Sequence, residues 1–295
     1  MISDTTPATY ILLAAAICAA WAKPVALGRV AVAPWLALFV AALAFGMAAG
    51  VLRSPAIVAL AALAGTTYMT ARAPQQYVRV IFGVVTAVLA LALAIHKLPG
   101  FNNAVVIDAV TISPGAVPFT QYANFDKGAV GLILLAFLCS RTRSWNEFGG
   151  VLKQSLPVLL VTLVAVLGLA MTIGAVRPDF KLSQLTMQFI AVNLFFTVVA
   201  EEAFFRGFLQ HRLAASLARW RSGKWIALVC SALLFGLVHL PGGAPYALLA
   251  TVAGFGYAYA YHVTQRIEAP IFLHIALNAA HFIAFSYPAL RPGIS

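Results

Sequence analysis

The chain has 295 residues, 62% of them hydrophobic and 9% charged, with a mean hydropathy of +0.94. That composition excludes a soluble domain and points to an all-α, polytopic transmembrane bundle of about ten helices. A formal net charge of +11 would suggest nucleic acid in a soluble protein. Here the basic residues sit at the ends of apolar runs, so the charge marks loops facing anionic lipid, and no nucleic-acid partner is expected.

Apolar runs predict helices near residues 9–22, 31–51, 56–70, 78–95, 128–139, 156–176, 185–208, 225–240, 244–261 and 270–287. Several fall short of the ~20 residues a span takes. The first eight residues lack the basic n-region of a cleavable signal peptide, so the first helix is expected to be retained. With the N-terminus outside, twelve Lys and Arg residues, Arg29 among them, fall in inner loops and six, Lys127 among them, in outer loops. This bias follows the positive-inside rule and suits a multi-pass protein of a bacterial inner (plasma) membrane. The longest connection, residues 97–127, carries Pro99, Pro114 and Pro118 and reads as an outer connecting loop. A basic loop, 141–153, separates residues 1–150, a scaffold or substrate guide, from residues 151–295, where the chemistry is concentrated. Cys18, Cys139 and Cys230 have no metal-ligand or redox spacing and read as small core residues. No internal repeat marks transporter halves.

Only eight acidic residues occur, and two of them, Glu201 and Glu202, are adjacent in an apolar run. An ionised carboxylate at a helix centre costs roughly 2.5–3.5 kcal/mol, which makes a functional role the default hypothesis. Glu202 and Arg206, four residues apart, share a helix face and can pair. Glu201 is turned about 100° away and is left without that partner. The bland alternative is a buried ion-pair network that only fixes helix packing. Downstream, Phe235-Gly236-Leu237-Val238-His239 ends one predicted helix. His274-Ile275-Ala276-Leu277-Asn278 lies in the last, with imidazole and amide on one face and His281 a turn further on. If the polar stretch 210–224 projects into the cytoplasm or lies at the interface, so that the chain enters the membrane near His211, helix rise puts Glu201 about 15 Å deep, and these groups can converge in a cavity open to the inner side. His96, His211 and His262, near helix ends, read as satisfied structural residues, and His281 leans the same way.

Taken in order, Glu-Glu-x-x-x-Arg, Phe-x-x-x-His and His-x-x-x-Asn on successive helices resemble the CPBP family, also called Abi: the CAAX-processing type II prenyl endopeptidases and bacteriocin-processing proteins. The likeness covers roughly residues 153–288. It implies an intramembrane endopeptidase acting on a membrane-associated peptide or protein. Glu201 would be the general base, activating water with His239. His274 and Asn278 would stabilise the oxyanion, and Glu202 with Arg206 would orient Glu201. Zinc held by Glu201, His239 and His274 is the metallo alternative, but the usual His-Glu-x-x-His helix is absent and Asn278 is a poor zinc ligand. A metal-free glutamate mechanism is therefore the reading taken, with no cofactor. The rival classes are a transporter using the Glu/His cluster as a proton relay and a non-catalytic membrane scaffold. Substrates in view are a prenylated C-terminal peptide, a leader peptide or the anchor of a sorted protein.

Overall fold

The computed structural model describes residues 5–28 and 30–291; Asp4 and Arg29 lie outside the described residues. Among these, ten helices run in order: α1 Thr5–Ala19, α2 Pro34–Ala48, α3 Ser54–Arg72, α4 Gln76–Ala94, α5 Phe125–Leu138, α6 Trp145–Thr172, α7 Gln184–Ser216, α8 Gly223–Leu237, α9 Ala244–Thr264 and α10 Glu268–Ala284. The helical class read from the sequence holds. Four of the ten, α3, α4, α6 and α7, are long and apolar enough to cross a membrane, while α1, α2, α8 and α10 are apolar but shorter.

Two strand pairs depart from the all-α expectation. β1 (Val25–Leu27) and β2 (Val30–Val32) pair antiparallel with Val25 opposite Val32, and Gly28 takes a φ of 63° in the connecting turn, a conformation that glycine adopts without strain. β3 (Ala104–Val110) and β4 (Phe119–Ala123) form a second two-stranded sheet inside the stretch read as a plain connecting loop. The run Val105, Val106 and Ile107 is β-branched and suits a strand, but three- to seven-residue strands are invisible to a search for long apolar runs. The last helix also stops early. Phe285 is extended, with φ −133° and ψ 161°, and the chain beyond it forms a strap instead of reaching residue 287 as helix.

The chain divides into two compact units, interleaved in sequence. The first comprises the chain through Ala104, Tyr122–Cys139 and Phe195–Phe204. Its centre is α5, buried almost continuously from Phe125 to Leu135. Small residues set how closely α5 lies on the 195–204 segment: a Cβ on Gly131 would stand 2.9 Å from the backbone of Ala200, and one on Gly128 2.8 Å from the Phe196 ring. Tyr10 of α1 closes the other side, edge-on to Phe125 and Phe196. At the first turn of α5 the Asp126 carboxylate, 1% exposed, is held by His96 Nδ1 at 2.6 Å and by Asn103 Nδ2 at 3.1 Å. A buried carboxylate needs such partners to offset lost hydration.

The second unit comprises Val105–Gln121, Ser140–Leu194 and the chain from Phe205 onward. Helix α6 starts where Ser144 accepts a hydrogen bond from the Glu147 amide at 3.2 Å, an N-cap. Glu147 pairs with Arg266 Nε at 2.6 Å, and Glu268 accepts from the amide and hydroxyl of Thr142 at 2.7 and 2.8 Å. Helices α8 and α9 are joined by a tight turn, Leu240–Gly242 followed by Gly243 at φ 98°. Phe189 of α7 stacks on Phe282 of α10 at 4.2 Å, with Ile107 of β3 in the same cluster. The strap is tied down by backbone bonds such as Asp179 N to Ala284 O and Ser286 N to Arg177 O, both 2.9 Å.

A hydrogen bond from Ser113, followed by the Lys181 ammonium 3.2 Å away, holds the Asp179 carboxyl below the usual carboxylate range. A lowered folded-state pKa contributes stability above the unfolded value, and that stability is lost as pH falls through the folded one. The melting-temperature gap between wild type and Asp179→Asn should therefore be widest at neutral pH and close below about pH 3.9. Separately, Gly131→Leu forces α5 off Ala200 and should lower stability by about 1–3 kcal/mol, read as a fall in the thermal midpoint of the purified protein in detergent.

Candidate active site

Helix α7 opens on a capping box, in which the side chains of Ser183 and Thr186 bond each other's backbone amides. It does not continue as uniform α-helix. Leu194–Val198 and Ala203–Gln210 are π-helical, and the four α-helical residues between them, Val199–Glu202, carry both carboxylates. The four-residue spacing read from the sequence assumed an unbroken α-helix. The wider turns bracket the acids instead, and such bulges are frequent at functional sites because they re-aim side chains.

Glu201 and Glu202 belong to the first unit. Glu202 has no exposed surface, whereas the Glu201 side chain is 17% exposed. Glu201 Oε1 lies 3.6 Å from Lys127 Nζ. Lys127 was read only as an outer-loop cation, yet it sits in the first turn of α5, which Gly128 and Gly131 bring close to the 195–204 segment.

Arg206, His239, His274 and Asn278 belong to the second unit, and there the structure gathers three of them. The Phe235 ring is the hub: Arg206 Cζ lies 4.5 Å from its centroid, the His239 ring 4.6 Å and the His274 ring 5.7 Å. Tyr257 of α9 completes the cluster, stacked on His274 at 4.5 Å and 5.3 Å from Arg206 Cζ. Arg206 has no exposed surface and donates Nη2 to the Gly254 carbonyl at 3.0 Å. Aromatic faces and a carbonyl replace water around the guanidinium. Ser231 Oγ donates to the Phe205 carbonyl at 3.0 Å, pinning α8 to the π-helical turn.

The tautomer of His239 follows from its partner. Its Nδ1 is 2.6 Å from the Phe235 carbonyl, which can only accept, so Nδ1 carries a proton and in the neutral ring the lone pair is on Nε2. Asn278 Nδ2 donates to Asn193 Oδ1 at 2.9 Å, with a second N–H on the same nitrogen. Neither Asn193 nor Tyr257 was singled out from the sequence. Asn193 was legible as the one amide in an otherwise apolar run; Tyr257 is one of three tyrosines at alternate positions with no periodic cue to mark it.

The remaining histidines each have a neighbour of their own. His96 bonds Asp126, His211 Nδ1 meets the Tyr261 hydroxyl at 3.3 Å, and His262 packs on Trp225 at 4.7 Å. His281 Nε2 is 3.2 Å from the Ser286 carbonyl. All three cysteines are free; Cys139 is buried with Sγ 3.9 Å from the Ala203 carbonyl, whereas Cys18 is exposed on α1 and is not a core residue. Within neither unit, among the described residues, do three or more His, Cys, Asp or Glu side chains group as a cation site.

In the second unit, then, one aromatic cluster holds the Arg206 guanidinium and the His239 and His274 rings, and in the first the Glu201 carboxylate faces Lys127. Residues 183–280 match the family model described as Type II CAAX prenyl endopeptidase Rce1-like. The match bears out the resemblance to CAAX-processing proteases and, with four membrane-length apolar helices, supports an integral-membrane, CAAX-type protease in general. No curated protein and no solved structure matches the chain.

Removing the hub ring should be costly. Phe235→Ala is expected to lower stability by about 3–5 kcal/mol and to leave Arg206 in a widened, wetter cavity, visible as a loss of the folded fraction in urea or detergent titration.

Proposed function

We propose that the protein is an intramembrane endopeptidase that hydrolyses a peptide bond of a membrane-associated substrate with glutamate-activated water. The observation that carries this reading is that the 183–280 match spans all six residues of the proposed machinery: Glu201, Glu202, Arg206, His239, His274 and Asn278.

In the proposed mechanism the Glu201 carboxylate removes a proton from water while His239 Nε2 accepts that water's second hydrogen bond. The hydroxide adds to the scissile carbonyl carbon. His274 and the second N–H of Asn278 donate to the oxyanion, where preorganised donors in a dry site act most strongly. Collapse of the tetrahedral intermediate breaks the C–N bond, and Glu201 returns its proton to the leaving amine. Glu202 and Arg206 form the supporting pair. The His239 tautomer set by Phe235 supports the acceptor role, because only the Nδ1–H form presents a lone pair at Nε2.

A zinc ion would be held by Glu201, His239 and His274 and would supply Lewis-acid polarisation and a more acidic bound water. We favour the metal-free form because Asn278, on the His274 face, is a donor to an oxyanion and a poor ligand to zinc. In this reading the protein spans the bacterial inner membrane several times with its N-terminus outside.

In a deletion strain complemented with Glu201→Gln, processing should fall about 10²–10⁴-fold. Membrane-protein termini should then match those of the deletion, with the variant still present in membranes. Termini identical to wild type would contradict the assignment. Chelator treatment of purified, reconstituted protein should leave cleavage intact; loss restored by zinc alone would contradict the metal-free form.

A further inference from the structure

We infer that Lys127 is a positioning residue for Glu201, so that the N-terminal set of helices contributes a working side chain to the reaction. The inference rests on the protease reading above. Lys127 lies well outside residues 183–280, the stretch that matches the family model, and it comes from α5, the fifth helix of the set read as scaffold.

The geometry is specific. Lys127 Nζ lies 3.6 Å from Glu201 Oε1, with the two side chains 20% and 17% exposed. The neighbouring carboxylate, Asp126, does not compete for the ammonium, because His96 Nδ1 takes Oδ2 at 2.6 Å while Asn103 Nδ2 and the Lys127 backbone amide take Oδ1 at 3.1 and 2.9 Å. The backbone approach is enforced from below, since Gly128 and Gly131 admit no Cβ against Phe196 and Ala200. A separation of 3.6 Å is an ion-pair distance but longer than a tight hydrogen bond. Lys127 therefore steers the carboxylate electrostatically without occupying the oxygen that must accept a proton from water. Partial burial keeps such a contact from being screened as a surface pair would be.

The test compares Lys127→Met, Lys127→Gln and Lys127→Arg with Glu201→Gln in the deletion strain, using pulse-chase of the membrane-protein termini that require Glu201. Lys127→Met and Lys127→Gln should slow processing about tenfold to a hundredfold, the cost of a misplaced catalytic group, at wild-type protein levels. Lys127→Arg should restore most of the rate, which a purely structural role for the aliphatic stem would not require. If Lys127→Met does not accumulate, Lys127→Gln carries the comparison. Full-rate processing by the Met and Gln variants alongside arrest by Glu201→Gln overturns this inference and leaves the protease reading standing. Equal slowing by Met and Arg also overturns it. Termini that do not respond to Glu201→Gln overturn the protease reading, and this inference falls with it.

Discussion

A guanidinium with no exposed surface has to be held by something other than water, and the second unit is arranged around that requirement. Arg206 lies among the faces of Phe235, Tyr257 and Phe205 and donates to the Gly254 carbonyl. The same two rings, Phe235 and Tyr257, also seat His239 and His274. One aromatic cluster therefore fixes a charge and two imidazoles at once. The ring at position 235 matters less for its own burial than for what it keeps in place.

The first unit solves a parallel problem for carboxylates. Asp126 is satisfied by neutral or weakly basic neighbours, His96 and Asn103, whereas Glu201 is met by a lysine. The difference follows from how close α5 comes to the 195–204 segment, which its two glycines decide. Three other acids, Glu147, Glu268 and Asp179, sit at segment ends: the first two at the starts of α6 and α10, and Asp179 in the α6–α7 connection. Against that pattern, the two glutamates in the middle of α7 stand apart.

Much of this was legible in the sequence, because long apolar runs and isolated charges are strong signals. The ten helices and their order follow from the runs, and the six proposed site residues follow from charge and amide groups set among apolar neighbours. What the sequence hid was local or tertiary. The π-helical turns of α7 have no compositional mark in Leu194–Val198, and hydrophobic periodicity cannot distinguish a 3.6-residue turn from one slightly wider. The strands β3 and β4 are too short for a span search. Lys127 was visible as a cation but not as a neighbour of Glu201, since that contact joins positions 74 residues apart through the packing of two small residues.

In the proposed mechanism Glu201 and His239 would work together as a single device. Groups that work as a unit are not additive when removed. Cleavage rates of Glu201→Gln, His239→Ala and the double variant, measured in reconstituted membranes, test this directly. The proposed mechanism predicts that the double variant is no slower than Glu201→Gln alone; losses that multiply would show that the two residues act separately and would contradict it.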